Sequence, residues 1–262
     1  MASAGASWFS PEWPAPAGVR ALCSTRTGGV SQGAYANWNL GDHVGDEPAA
    51  VAENRQRFAE ALGARPVFLQ QVHGTGVVAL DGATPNGVQA DACWTRERGV
   101  ACTIMVADCL PVLLADAKGR CVAAAHAGWR GLAGEGGRGV LEALWDAWWP
   151  QVAASPQEAS AATLAWLGPC IGPQAFEVGA EVKEAFVAND PAASHRFTAM
   201  PAGKCKADLP GLARDRLARL GLRAVFGNDG STGWCTVANP SRFFSHRRDR
   251  TSGRFAAAIW LA

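Results

Sequence analysis

Five histidines and eight cysteines supply the metal-ligating and nucleophilic side chains of this sequence. Two of the histidines stand beside glycine at the ends of apolar runs, in Gln70-Gln71-Val72-His73-Gly74 and Ala124-Ala125-His126-Ala127-Gly128. Between them lies Ala107-Asp108-Cys109-Leu110-Pro111, again at a strand boundary. Polar residues flanked by small ones at strand ends are where layered α/β folds form pockets. Two imidazoles and one thiolate make a three-ligand zinc set, with the fourth position left for water or substrate. The same residues without a metal can act as a cysteine nucleophile, Cys109, with His126 or His73 as its base. Their separations match no short zinc-finger pattern, so spacing alone does not single out this trio.

Three further stretches carry polar chemistry. After His126 the chain runs Gly128-Trp129-Arg130-Gly131, then Gly134-Glu135-Gly136-Gly137-Arg138-Gly139, then a helix. A glycine-rich turn at a helix start exposes N–H groups to an anion, with Arg130 and Arg138 in reach; a plain tight turn accounts for it equally well. Gly168-Pro169-Cys170-Ile171-Gly172-Pro173 brackets a cysteine that either approaches a ligand or packs as a small hydrophobe. Phe243-Phe244-Ser245-His246-Arg247-Arg248-Asp249 reads as a solvated charge cluster or as the wall of a pocket for a planar, polar substrate.

The elements that must position these residues alternate between strand-like and helix-like runs. Strands are predicted over 21–25, 67–72, 76–80, 100–106, 111–115, 120–126, 163–167, 223–226 and 255–261. Several are short, continuous apolar runs, the pattern of strands covered on both faces. Helices are predicted over 48–62, 137–149, 174–187 and 208–220. The first places Asn54 and Arg55 on the same face as Val51, Phe58 and Leu62, so it presents polar groups inward. The last opens on Asp208 as N-cap and stops before Gly221. Such a mixture predicts an α/β (α+β) layered fold, one domain over residues 1–262.

Composition narrows the function. Lys plus Arg number 24 and Asp plus Glu 23, a net charge of +1. That balance argues against non-specific binding of nucleic acid or anionic membranes. No apolar window reaches the length of a membrane span, and the first twenty residues lack the basic-then-apolar order of a secretory signal. The expected compartment is the cytoplasm, where eight cysteines serve as buried thiols, ligands or a nucleophile rather than disulfides.

Taken in order, these segments resemble the YfiH-like family of laccase-domain, or polyphenol-oxidoreductase, proteins. The resemblance begins at Thr25-Arg26-Thr27-Gly28-Gly29-Val30-Ser31 and Asn39-Leu40-Gly41-Asp42-His43, and passes through Asn54-Arg55 and Gln71-Val72-His73-Gly74. It continues with Asp91-Ala92, Ala107-Asp108-Cys109-Leu110-Pro111 and His126-Ala127-Gly128-Trp129-Arg130-Gly131. It closes with Gly168-Pro169-Cys170-Ile171-Gly172, Asp208-Leu209, Cys235-Thr236, Arg247-Arg248-Asp249 and Gly253-Arg254. The family resemblance implies mixed sheets sandwiched between helices, similar to a bacterial deamidating toxin domain. It also implies a mononuclear site, usually zinc, at His73, Cys109 and His126, with copper able to enter in vitro.

The implied chemistry is phosphorolysis of adenosine, inosine, guanosine and methylthioadenosine, together with deamination of adenosine. On this resemblance Arg26, Asn39, Arg55, Arg130, Cys170 and Arg247 are expected to bind substrate. The expected partners are a purine nucleoside and phosphate, with neither nucleic acid nor membrane, and the number of assembled chains is left open. Two other enzymatic readings stand beside it: a cysteine-type amide hydrolase editing peptidoglycan precursors, and a copper-dependent phenol oxidase. The last needs a blue-copper site plus a histidine-rich three-copper cluster, which five histidines cannot build. A metal-stabilised binding module would require a protein ligand at the fourth position.

Overall fold

The strand Val100–Val106 is buried at every residue, yet its side chains divide between two interiors. Val100, Cys102, Ile104 and Val106 enter one core, and Ala101 and Met105 another. Phe255–Leu261 does the same, with Phe255, Ala257 and Ile259 on one side and Ala256, Ala258 and Trp260 on the other. This is the two-residue alternation of strands covered on both faces.

The computed structural model describes residues 7–262. The first six residues, part of the predicted domain span and of the stretch read for an export signal, lie outside them. The described strands are β1 (Trp8–Phe9), β2 (Val19–Ser24), β3 (Arg65–Phe68), β4 (Val77–Ala79), β5 (Ala92–Thr95), β6 (Val100–Val106) and β7 (Leu110–Asp116). They continue as β8 (Val122–Ala127), β9 (Thr163–Leu167), β10 (Glu177–Val178), β11 (Phe197–Ala199), β12 (Cys205–Ala207), β13 (Ala224–Gly227) and β14 (Phe255–Leu261). The α-helices are α1 (Pro48–Leu62), α2 (Trp129–Ala133), α3 (Val140–Val152), α4 (Pro156–Ala161), α5 (Ala180–Val187), α6 (Leu209–Arg219) and α7 (His246–Asp249).

Three sheets form, in the orders β1-β2-β14-β6-β3, β13-β9-β7-β8-β5-β4 and β10-β12-β11. The two larger ones mix parallel and antiparallel pairs. They pack face to face through Ile104, Phe255, Ile259, Leu113 and Trp166. Helix α1 covers the outer face of the first, setting Phe58 and Leu62 against Leu22, Met105 and Trp260. Helices α3 and α6 cover the outer face of the second, setting Leu144, Trp148 and Leu212 beside Val112, Leu114 and Ala123. Burying each such side chain contributes roughly 1.5–3 kcal/mol. The sheets are thus sandwiched between helices, as predicted.

Helix α1 spans the predicted residues, with Pro48 in its first turn and Gly63 closing it at φ +61°. Its inward polar group is real: Asn54 is fully buried and donates to Ser31 Oγ and to the carbonyls of Asn37 and Asn39. Asp208 caps α6 by accepting from the Gly211 N–H. Two predicted helices start late. The segment predicted over 174–187 becomes helical only at Ala180, because Glu177 and Val178 pair with Lys206 and Cys205 in the small sheet. The one predicted over 137–149 starts at Val140, since the glycines before it form a turn, and runs on to Val152. In the strand predicted over 67–72 the ladder to the next strand ends at Phe68, and beyond it Gln70 makes only an isolated bridge to Gln89. All eight cysteines are free, and all but Cys109 are buried. No helix among the described residues is long and apolar enough to cross a membrane.

Candidate active site

An antiparallel hairpin accounts for the long step from Cys109 to His126. Strand β7 pairs with β8 so that Pro111 faces His126 and Leu110 faces Ala127. Cys109, the residue before β7, therefore meets the end of β8 at the open end of the hairpin. His73 arrives from elsewhere, on the loop after β3, with its backbone at φ +61°. Gln71 clamps that loop to β6: its Nε2 donates to the Met105 carbonyl at 2.8 Å, and its Oε1 accepts from the Met105 N–H at 2.9 Å.

Asp91 joins the two histidines. It precedes β5, whose Ala92 pairs with Ala125, and its carbonyl accepts the His126 N–H at 2.7 Å. Its fully buried carboxylate accepts backbone N–H groups from Val72 (3.2 Å), His73 (2.9 Å) and Gly74 (2.7 Å). It also lies 2.8 Å from His126 Nδ1. Burial pushes this carboxyl up, but the bonds from His126 and the backbone bring it below the usual range. An ionised carboxylate only accepts, so His126 Nδ1 carries the proton and leaves Nε2 for another partner.

His73, Cys109 and His126 form the group of metal-ligating side chains that converges among the described residues, their ligand atoms all within 4.8 Å of one another. Cys109 Sγ is 3.6 Å from His73 Nε2, and the two imidazole centroids are 4.7 Å apart. Burial raises the Cys109 thiol, but the neighbouring imidazoles reverse this and bring it down to about 6. Burial lowers His126, and the Cys109 thiolate and Asp91 carboxylate lift it to about 9. A thiolate and two imidazoles, one braced by a carboxylate on its far nitrogen, are a donor set that fits a metal ion. Gly128 lets the backbone pass this close, since a Cβ there would stand 2.8 Å from His73 Cδ2 and 2.9 Å from Cys109 Sγ.

A cavity of about 460 Å³ opens over the cluster, and Arg130, Arg247, Arg250 and Arg254 line it together with Trp129 and Phe176. The Arg130 guanidinium stacks 4.4 Å from the Trp129 ring. Arg247 donates from Nη1 to the Glu177 carbonyl at 2.7 Å. Asp108, at φ +93°, ties the Arg247 backbone to the cluster by accepting from Thr236 Oγ1 at 2.6 Å and from the Arg247 N–H at 2.7 Å. Asn39 Oδ1 accepts the Arg254 N–H at 2.8 Å.

Of the nine residues singled out from the sequence, five line this cavity: His73, Cys109, His126, Arg130 and Arg247. The other four support its surroundings. Arg26 donates to the carbonyls of Ala36 and Pro240 and stacks on Phe244. Asn39 is fully buried and hydrogen-bonds Asp46, Gly41 and Arg254. Arg55 binds the Leu40 carbonyl and Asp42. Cys170 lies buried under Asn228, and burial pushes its thiol up. Asp91, Gln71, Asp108 and Arg254 were missed as site residues. They sit in the same motif stretches, but their partners come from distant strands and loops.

The glycine-rich turn does not leave a bare helix N-terminus. Glu135 and Arg138 pair across it, and the Gly139 N–H donates to Glu142 Oε2 at 2.8 Å. Glu142 Oε1 in turn meets Arg216 at 3.1 Å, and Arg138 pairs with Asp146. The chain's own carboxylate thus occupies the position expected for an anion.

Residues 20–262 match the family model described as multi-copper polyphenol oxidoreductase laccase. The chain is 51% identical over 258 residues to a Pseudomonas aeruginosa protein named purine nucleoside phosphorylase, covering 97% of this chain and 98% of that protein. It is 48% identical over 253 residues to the Escherichia coli purine nucleoside phosphorylase YfiH, covering 96% and 97%. A crystal structure of a Neisseria meningitidis protein superposes with a TM-score of 0.88 at 46% identity, over 98% of this chain and 99% of that one. YlmD from Geobacillus stearothermophilus gives 0.87 at 30% identity, over 98% and 96%.

Proposed function

This chain belongs to the multi-copper polyphenol oxidoreductase laccase family, and from that premise we propose that it is a zinc-dependent purine-nucleoside enzyme. It cleaves adenosine, inosine, guanosine and methylthioadenosine with phosphate, and it deaminates adenosine. The observation that carries this reading is a set of four arginines that line one cavity together with the His73–Cys109–His126 cluster. Guanidinium groups suit a phosphate dianion, and the cavity volume lies in the range of small-molecule sites.

In phosphorolysis a phosphate oxygen bonds to C1′ while the C1′–N9 bond breaks, and the electron pair leaves with the base. The arginines hold the phosphate against C1′, Trp129 and Phe176 offer faces to the planar base, and the departing base must gain a proton. His43 and His246 also line the cavity, outside the cluster, and offer ring nitrogens that can hydrogen-bond the departing base. In deamination a water oxygen adds at C6 and ammonia leaves. Zinc, when bound by His73, Cys109 and His126, supplies a Lewis acid that makes water a competent nucleophile near neutral pH.

A second reading, an amide hydrolase acting on peptidoglycan precursors, draws support from the lowered Cys109 thiol beside two imidazoles. Multi-copper chemistry gains no such support, because five histidines cannot supply both of its copper sites. Metal analysis and a product screen on adenosine, inosine and methylthioadenosine, with and without phosphate, decide between the first two. Bound zinc and phosphate-dependent release of free base are expected. Full activity in metal-stripped protein, abolished by iodoacetamide at Cys109, would reverse the assignment.

A further inference from the structure

Helix α7 ends in a conformation that few residues adopt. Arg250, which closes it, sits at φ +62° and ψ −65°, and the Thr251 N–H donates across it to the Asp249 carbonyl at 2.7 Å. A hydrogen bond spanning one residue at these angles makes a γ-turn of positive φ, which is rare and strained for a residue with a Cβ. Glycine would relieve that strain, yet an arginine stands there.

The Arg250 side chain lines the cavity over Cys109. Its neighbours are tied into the protein, Arg247 to the Glu177 carbonyl and Arg248 to Asp249 and the carbonyls of Thr236 and Phe243. Arg250 is exposed and has no hydrogen bond or ion pair among the described residues. The wall holds no counter-charge for it. Asp108 is the one carboxylate among the lining residues, and Thr236 and the Arg247 N–H already occupy it. A phosphate dianion balances two of the four guanidiniums, which leaves charge for a second anion. Strain held at the wall of a site, under a charge with no partner, points to a ligand contact rather than to packing.

We infer that Arg250 holds a second anionic group, the 5′-phosphate of the substrate, so that nucleoside 5′-monophosphates are the preferred substrates of the Cys109 cavity. This rests on the phosphorolysis proposed above. An oxygen of hydrogen phosphate bonds to C1′, and the C1′–N9 bond breaks with its electron pair on the base. The proton of hydrogen phosphate passes to the base. The products are the free base and a ribose phosphorylated at both C1′ and C5′.

The test titrates the full, metal-loaded chain by calorimetry with inosine 5′-monophosphate and with inosine. Both titrations are run in saturating sulfate, which fills the orthophosphate position without reacting. The monophosphate is expected to bind at least about tenfold tighter than inosine, the size of one charge-assisted contact. Arg250→Gly should erase that difference and melt no lower than the wild type, since glycine accepts the turn. Arg250→Lys, which keeps the charge, should retain part of the preference. In phosphate, kcat/KM for release of hypoxanthine should favour the monophosphate in the same order. Equal binding of the two compounds, or a preference that survives Arg250→Gly, would overturn the proposal. So would an Arg250→Gly enzyme that only raises the phosphate KM. Tight monophosphate binding that Arg250→Gly abolishes, with no base released from either compound, would uphold the Arg250 site and count instead against the phosphorolysis it rests on.

Discussion

A single oxygen, Asp91 Oδ1, accepts the Nδ1–H of His126 at 2.8 Å and also the backbone N–H of His73 at 2.9 Å. One buried atom thereby sets the ring orientation of one histidine and the chain position of the other. Asp91→Asn keeps the shape but turns an acceptor-only group into one that also presents N–H bonds to donors. Its affinity for zinc should fall by about 10–100-fold, measured by competition with a chelator. An unchanged affinity would mean that the carboxylate does not brace the site.

Gly128→Ala tests the closeness of the cluster directly. The backbone there, at φ −67° and ψ 156°, accepts alanine without strain, so the added methyl acts only on His73 and Cys109. Metal content should drop sharply while the circular dichroism spectrum stays that of the wild type. Full metal occupancy would show that the loop carrying His73 yields easily.

Metal-stripped protein should react with iodoacetamide first at Cys109. Its thiol is held near 6, whereas burial raises those of Cys102, Cys121 and Cys170. The rate should climb as pH rises through about 6 and then level off. Added zinc should suppress it. Peptide mapping that finds another cysteine labelled first would contradict the geometry.

Arg130→Ala removes a guanidinium that faces the cavity and has the Trp129 ring as its support. The apparent phosphate KM of phosphorolysis should rise by about tenfold, the size of one charge-assisted contact, with deamination less affected. Equal loss of both activities in folded protein would remove Arg130 from the phosphate site.

Acid stability should depend on Asp215, which accepts from Arg196 at 2.8 and 2.7 Å. Burial raises this carboxyl, and the Arg196 bonds and charge more than reverse that, leaving it below its ordinary value. A carboxyl depressed on folding adds stability above its unfolded pKa of about 3.9, and that stability is lost as pH falls through the folded value. Asp215→Asn should therefore cost about 1–2 kcal/mol at pH 7, and progressively less as the pH falls through the folded value. Urea melts across that range measure the difference; a gap that persists in acid would assign the loss to packing.

Much of the layered fold was legible because strands such as Val100–Val106 and Phe255–Leu261 are unbroken apolar runs. The small sheet was not, since β10, β11 and β12 are two or three residues long and their register comes from pairing. In the site, His73, Cys109 and His126 announced themselves by side-chain type. Asp91 did not, being one of 23 acidic residues whose role arises only when β5 lies beside β8. Arg26 and Arg55 look like phosphate ligands in the sequence, but neither lines the cavity over Cys109; both brace the loops around it through backbone carbonyls.

The pairing of β7 with β8 also determines where this chain can tolerate a change of length. Cys109 and His126 share the open end of the hairpin, while residues 117–121 close it at the other end. A residue inserted in that turn lengthens a loop and leaves both ligands in place. The same residue inserted within either strand shifts the register by one and sends Cys109 or His126 to the opposite face of the sheet. In a library of single-residue insertions across 109–126, metal-binding survivors should therefore cluster at the turn, the point on the hairpin farthest from the metal.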